Sequence, residues 1–184
     1  MRIVGGEFKS RKLVAPRGMV TRPTTDRTRE SLFNILSNLI EFENLRVLDL
    51  FAGSGALGLE AISRGAGFSL FVEQAAQARA TVQSNIEQLG LQGKSKLIRR
   101  DATKLGTIGT MYPFDLVFAD PPYCKGLGEK AFAGLIHGNW LRSGALCVLE
   151  ENASCFPEEV NQFELLDHRQ FGDTVIGILK YHSR

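Results

Sequence analysis

The chain reads as an α/β protein built on a mostly parallel sheet with helices on both faces. Three observations carry that reading. Residues 47–51 are a short apolar run broken only by Asp49, and Gly53, Gly55 and Gly58 follow at G-x-G-x-x-G spacing as a helical pattern opens at Leu57. Strand-like and helix-like segments then alternate as far as residue 150, as repeated β–α units require. Finally, residues 163–170 and 175–181 flank Gly172-Asp173, the pattern of a closing antiparallel hairpin.

Taken in order, residues 2–4 and 12–14 are short strand candidates, joined into a hairpin through Gly5-Gly6 and a basic stretch. Pro16, Gly18 and Pro23 then break regular structure. Thr24, Thr25 and Asp26 are all good helix N-caps. Leu32, Phe33, Leu36, Leu39 and Ile40 recur at three- and four-residue steps, so a helix is expected through about Ile40. The glycine-loop helix runs to about Ser63 and stops at Arg64-Gly65. Residues 69–73 form the next strand, and residues 74–89 an alanine-rich helix closed by Gly90. Residues 96–99 are a weaker strand leading to Asp101, and residues 114–120 a strong one ending at Pro121-Pro122. A helix over about 129–137 and a strand over 145–150 complete the alternation. In this architecture ligands sit outside the carboxyl ends of the strands, at the switch point.

The 184 residues suffice for one domain with a substantial core, and 43% hydrophobic with 23% charged residues is ordinary for a soluble globular protein. No run is long and apolar enough for a membrane span, and no signal-peptide pattern follows Met1, so a cytoplasmic location is expected. Cys124, Cys147 and Cys155 show no C-x-x-C pairing; reduced thiols acting as small apolar fillers are expected. His137, His168 and His182 lack metal-ligand spacing, so no metal is expected. The net charge of +2 hides an asymmetry: residues 1–30 hold eight Lys/Arg against three Asp/Glu. A basic head on a mildly acidic body points to an anionic partner such as nucleic acid, with a solvated, frayed terminus as the alternative.

Acids gather at the carboxyl ends of the expected strands. Glu73 ends the second strand, 18 residues beyond Gly55, where an acid accepts both hydroxyls of a ribose. Asp101 follows the third strand, placed to accept from an adenine amino group, and Asp120 ends the fourth. The alternative is that Glu73 and Asp101 cap neighbouring helices. Asp120-Pro-Pro-Tyr123 is the most informative tetrapeptide. Its prolines remove two N–H donors and leave carbonyls as acceptors, between a carboxylate and an aromatic face. Such a pocket suits a planar substrate offering an NH₂ group. Holding both hydrogens on Asp120 and the Pro121 carbonyl would localise the nitrogen lone pair toward an electrophile.

The run Val47-Leu-Asp-Leu-Phe-Ala-Gly-Ser-Gly55 resembles the first motif of S-adenosylmethionine-dependent methyltransferases, and Asp120-Pro-Pro-Tyr123 their amino-group-methylating signature. The opening Gly5-Gly, Arg11-Lys-Leu, Arg22-Pro-Thr-Thr-Asp26 and Arg29-Glu-Ser-Leu-Phe-Asn34 are similar to one family within that class, the bacterial small-subunit (16S) ribosomal RNA guanine-N2 methyltransferases. The likeness covers nearly the whole chain. It implies a Rossmann-like seven-stranded sheet with an antiparallel C-terminal edge, over residues 24–184, preceded by a basic β-hairpin extension, residues 1–23.

By the same resemblance, Asp49, Ala52, Gly53 and Gly55 would hold the methionine end of S-adenosylmethionine, Glu73 its ribose, and Asp101 with Ala102 its adenine. Asp120, Pro121 and Tyr123 would hold the guanine, with Asp120 also reaching the cofactor. Lys9, Arg11, Lys12, Arg22, Thr24 and Arg29 would meet the RNA. The implied partner is small-subunit ribosomal RNA or the assembling small subunit, met by a monomer. Asp-Pro-Pro-Tyr is shared with DNA adenine-N6 and protein glutamine-N5 methyltransferases, so by itself the tetrapeptide specifies the attacked atom and not the substrate. A nicotinamide oxidoreductase would also use Gly53, Gly55, Gly58 and Glu73, but leaves Asp120-Pro-Pro-Tyr123 without a role. A non-catalytic RNA-binding protein would not need an acid at every cofactor position. A cysteine-nucleophile mechanism would want its thiol inside the turn, whereas Cys124 follows Tyr123.

Overall fold

The computed structural model describes residues 1–16 and 25–183. Its strands are β1 (Arg46–Leu50), β2 (Phe68–Val72), β3 (Ser95–Ile98), β4 (Phe114–Ala119), β5 (Leu141–Asn152), β6 (Phe163–Phe171) and β7 (Thr174–Tyr181). Its helices are α1 (Asp26–Ser37), α2 (Ala56–Ser63), α3 (Ala76–Leu89) and α4 (Leu127–His137). The strands form one seven-stranded sheet in the order β3-β2-β1-β4-β5-β7-β6. β1 to β5 pair in parallel, whereas β7 pairs antiparallel with both β5 and β6, giving the expected antiparallel edge. Among the described residues, no helix is long and apolar enough to cross a membrane.

The two-residue period of the strands sorts side chains onto two covered faces. Leu48, Leu50, Leu70, Val72 and Val117 pack with Phe132 and Leu135 of α4 on one side. On the other, Val47, Leu116 and Phe118 meet Leu32, Phe33 and Leu36 of α1, while Phe71 meets Leu59 of α2 and Val82 of α3. Burial on both faces explains why the central strands read as continuous apolar runs.

Helix ends follow local chemistry. Thr25 caps α1, its side chain accepting from Thr28 N–H at 3.1 Å. This helix stops at Ser37 rather than near Ile40, since the N–H groups of Asn38 and Leu39 turn back to Ile35 and Leu36 in a tighter last turn. Gly90 ends α3 in a left-handed conformation, as expected. α3 begins at Ala76 because Glu73 takes the Ala75 N–H and holds the preceding turn.

The N-terminal hairpin is reduced to one antiparallel bridge, Arg2 with Lys12, flanked by backbone bonds from Ile3 to Arg11 and from Leu13 to Met1. It is firmly docked and not frayed. Ile3 and Leu13 are buried in the α2–α3 cluster. Three buried polar side chains bind its backbone: Glu60 accepts from Val4 N–H, Ser63 from Phe8 N–H, and Asn85 from Val14 N–H. Gly6 is the residue this docking demands. Its φ is +75°, and a Cβ there would sit 1.9 Å from the Ser63 carbonyl oxygen.

The cysteines correct an expectation. Cys124 and Cys155 are joined in a disulfide, with Cα atoms 5.3 Å apart. They leave the carboxyl ends of β4 and β5, which are parallel neighbours, so the sheet brings together two residues 31 apart in sequence. No spacing signature announces such a pair. Cys147, buried in the middle of β5, is the apolar filler expected, and burial pushes its thiol pKa up. Alkylation of the unfolded, unreduced protein should therefore mark one thiol per chain, and three after reduction. Replacing both bridged cysteines with serine should cost about 3–4 kcal/mol in denaturant titrations, the chain-entropy value for a loop of this size.

Candidate active site

The chain leaves β1 toward β2 and β3, then returns to lay β4 on the other side of β1. This reversal opens a cleft of about 1150 Å³ above the carboxyl ends of β1, β2 and β4. Typical single-ligand sites are about 300–1,000 Å³, so there is room for a cofactor and part of a second molecule. Asp49, Ala52, Gly53, Glu73, Asp101, Ala102, Asp120, Pro121 and Tyr123 all line it. Gly55 stands just behind the lining, as the left-handed N-cap of α2.

The glycine loop is shaped by two acids. Asp49, inside β1, accepts from Gly58 N–H at 2.9 Å and so ties the strand to the first turn of α2. Only glycine fits at 58: a Cβ would lie 2.5 Å from the Phe71 ring and 2.6 Å from the Ser69 hydroxyl oxygen. Glu73 accepts from Gly53 N–H at 2.9 Å and from Ala75 N–H at 2.8 Å. It thus holds the loop and the start of α3 together, and each oxygen keeps a second lone pair for a ligand. Phe51, at the exit of β1 on the cleft wall, has φ +54°, a strained value for a bulky residue and typical of ligand-binding turns. Asp101 takes the Thr103 N–H at 2.9 Å and its hydroxyl at 2.7 Å, and these bonds hold its carboxyl below the ordinary value.

The Asp120–Tyr123 turn is held from β5 and β7. The Tyr123 hydroxyl donates to Glu150 Oε1 at 2.6 Å and lies 3.3 Å from Thr174 Oγ1. Glu151, buried, accepts from Cys124 N–H at 2.9 Å and Asn152 N–H at 2.7 Å. Burial, then the nearby charge of Glu150, Asp49 and Glu151, raises the Asp120 pKa well above an ordinary carboxyl. Burial and the Glu150 bond likewise raise that of Tyr123, so the phenol keeps its proton. This concentration of acceptors favours a cationic or amine-bearing ligand.

Of the basic residues, Lys9, Arg11 and Lys12 are exposed on the docked extension. Arg29 is buried: it donates to Asp26 at 2.9 Å and to the Arg2 carbonyl, and lines the cleft beside Met1 and Pro16. Arg22 and Thr24, and the expected boundary at residues 23 and 24, lie outside the described residues. Sequence reasoning missed Glu150, Glu151, Thr174 and Asn85. Asn85 donates to Ser54 O at 2.9 Å and to Val14 O at 3.0 Å, linking the glycine loop to the N-terminal extension. The one available signal for the two glutamates was a pair of acids closing an apolar strand.

Sheet order, glycine turn and acid-lined cleft together define a Rossmann-like methyltransferase fold. The solved Escherichia coli structure described as "Putative methyltransferase yhhF" matches with a TM-score of 0.85 and 32% identity, over 100% of this chain and 99% of that one. A Haemophilus influenzae structure described as a putative methylase matches with a TM-score of 0.82 and 29% identity, over 100% and 99%. The chain belongs to the family described as conserved hypothetical protein 95, whose model matches residues 1–180. Its relatives include "Putative rRNA methyltransferase YlbH" of Bacillus subtilis, 37% identical over 98% of each chain. The Escherichia coli "Ribosomal RNA small subunit methyltransferase D" is 41% identical over 82% of this chain and 74% of that protein.

The crowding of acids has a measurable consequence at Asp49. Burial, opposed by the Gly58 bond and reinforced by the Glu73 charge, pushes its pKa up to about 8 from 3.8. Between those values the folded state holds a proton that the unfolded state has released, so stability falls as pH rises. Asp49→Asn, which mimics the protonated form, should lose less stability than wild type between about pH 4 and 8. Urea titrations across that range test this; parallel curves for the two proteins would show that Asp49 is ionised throughout.

Proposed function

We propose that this protein transfers a methyl group from S-adenosylmethionine to the N2 amino group of a guanine in small-subunit ribosomal RNA. The observation that carries the reading is the placement of Asp120-Pro-Pro-Tyr123 beside the glycine turn, in one cleft. The same reading has the protein act as a cytoplasmic monomer, on free RNA or on the assembling small subunit.

The residues present fit the cofactor. Glu73 offers two unused lone pairs to ribose hydroxyls, Asp101 and Ala102 border the place for adenine, and the loop at Ala52, Gly53 and Gly55 borders the methionine end. Crowded carboxylates at Asp49, Asp120 and Glu150 favour a molecule carrying both a sulfonium and an ammonium charge. When bound, the cofactor supplies the electrophilic methyl. The protein's part is then positioning and desolvation.

Asp120 and the Pro121 carbonyl accept the two amino hydrogens and turn the nitrogen lone pair away from the ring system. With the positive charge of a bound cofactor nearby, Asp120 would be held ionised and could take the proton that the nitrogen releases. The Tyr123 ring provides a stacking face, and Glu150 fixes that ring by its hydroxyl. The guanine must leave its stack to reach this turn, which costs a few kcal/mol in a helix and less in a loop.

Mass spectrometry of ribosomal RNA nucleosides from a deletion strain should show the loss of one N2-methylguanosine; an unchanged spectrum would sink the substrate assignment. Glu73→Ala should weaken cofactor binding by about 1.5–3 kcal/mol in calorimetry. Asp120→Ala should retain more of that binding but lose most turnover. Near wild-type turnover in Asp120→Ala would remove that residue from the chemistry.

If Glu150 acts through the Tyr123 hydroxyl, Tyr123→Phe and Glu150→Ala should each lower turnover by roughly tenfold or more, the worth of a hydrogen bond to a charged group. The double variant should then be no worse than either single one. Additive losses would mean that the two residues act independently.

A further inference from the structure

We propose that the β3 edge of the sheet is a second RNA-contacting surface, a basic ridge running along that strand to the mouth of the cleft. The proposal rests on the ribosomal RNA reading above and extends it to residues with no role in cofactor or base binding. Residues 94–104 hold Lys94, Lys96, Arg99, Arg100 and Lys104 against a single acid, Asp101. All five basic residues are exposed. Among the described residues, none of them is in an ion pair, whereas Arg2, Arg29, Arg64, Arg142 and Arg169 each have a carboxylate partner. The one acid accepts from the Thr103 N–H and hydroxyl and offsets part of the charge of Lys104, which leaves the segment with a net charge of +4, five basic residues against one acid.

Position gives these charges their meaning. β3 is an outermost strand, paired only with β2, so one side of it is open. Lys94 precedes the strand and Arg99 and Arg100 follow it, at the end that opens on the cleft. Arg100 lines the cleft wall and is steadied by donating to the Leu105 carbonyl at 2.7 Å. A turn closed by Lys104 N–H to Asp101 O, at 2.9 Å, brings Lys104 back beside them. Leu97 of β3 packs into the same cluster as Ile3 and Leu13, so the ridge and the basic extension border one layer of the molecule. Both reach the cleft, the ridge at Arg100 and the extension at Met1 and Pro16.

The competing explanation is protection of an open strand edge, for which exposed lysine is a common device. That accounts for Lys96, the only charged residue within β3. It does not account for Lys94, Arg99, Arg100 or Lys104, which lie outside the strand. Five like charges within eleven residues repel one another, a cost that a polyanion removes by charge neutralisation and counterion release.

The test is the salt dependence of binding to in-vitro transcribed small-subunit ribosomal RNA and to isolated small subunits. The variant is Lys94→Gln/Lys96→Gln/Arg99→Gln, which spares the cleft-lining Arg100. The slope of log affinity against log salt should fall by about 0.7 for each lost single-strand contact, or about 2 for all three. S-adenosylmethionine binding and thermal midpoint serve as checks on the fold. The charge-preserving variant Lys94→Arg/Lys96→Arg/Arg99→Lys should keep the wild-type slope. Equal slopes for wild type and the glutamine variant on both substrates would overturn the ridge, as would a loss of slope in the charge-preserving variant. Self-association on Lys96→Gln alone, with no slope change in the triple variant, would assign the charge to edge protection. Wild-type protein that methylates the RNA while the triple variant keeps its slope overturns the ridge alone. Wild-type protein that neither binds nor methylates it overturns the substrate reading as well.

Discussion

Five carboxyl groups converge on the carboxyl ends of β1, β2, β4 and β5: Asp49, Glu73, Asp120, Glu150 and Glu151. Burying that many acids together is unfavourable unless donors meet them. The surrounding loops are built to supply those donors. Gly58, Gly53 and Ala75 give backbone N–H groups to Asp49 and Glu73, while Tyr123, Cys124 and Asn152 serve Glu150 and Glu151. Each bond also sets a loop's shape, so the geometry of the cleft follows from satisfying its acids. Asp120 sits amid the repulsion, with a strongly raised pKa. A cationic cofactor is the ligand that such a cleft is prepared to receive.

The same economy governs the N-terminal extension. Buried Glu60, Ser63 and Asn85 on α2 and α3 bind its backbone, and Gly6 lets it approach the Ser63 carbonyl. Asn85 reaches both this extension and Ser54 in the glycine loop. The segment bearing Lys9, Arg11 and Lys12 is thus part of the packed body. Asn85 thereby couples the position of these basic residues to that of the glycine loop.

The tie between the Asp120–Tyr123 turn and β5 has two parts of different strength. Hydrogen bonds to Glu150 and Glu151 orient Tyr123 and the residue after it, and the Cys124–Cys155 bridge limits how far the turn can move. Disulfides are uncommon in reducing compartments, where they are usually transient. The glutamates hold the aromatic face by hydrogen bonds alone, so its orientation does not depend on the redox state of the bridge.

Much of this was legible in the chain alone, because it is written in neighbouring residues. Alternating apolar runs and helical periods marked the strands and helices within a few positions. Gly53, Gly55 and Gly58 marked the turn, and Asp120-Pro-Pro-Tyr123 marked an acceptor-rich pocket by its missing donors. Strand ends marked Glu73 and Asp101 as cleft residues. The tertiary structure alone decided what lies between distant segments: the Cys124–Cys155 bridge, Glu150 against Tyr123, Asn85 against Ser54 and Val14, and the burial of Arg29. Those contacts depend on strand order and on which loops leave adjacent strand ends. Local periodicity carries no information about either, since a buried parallel strand has the same pattern wherever it stands in the sheet.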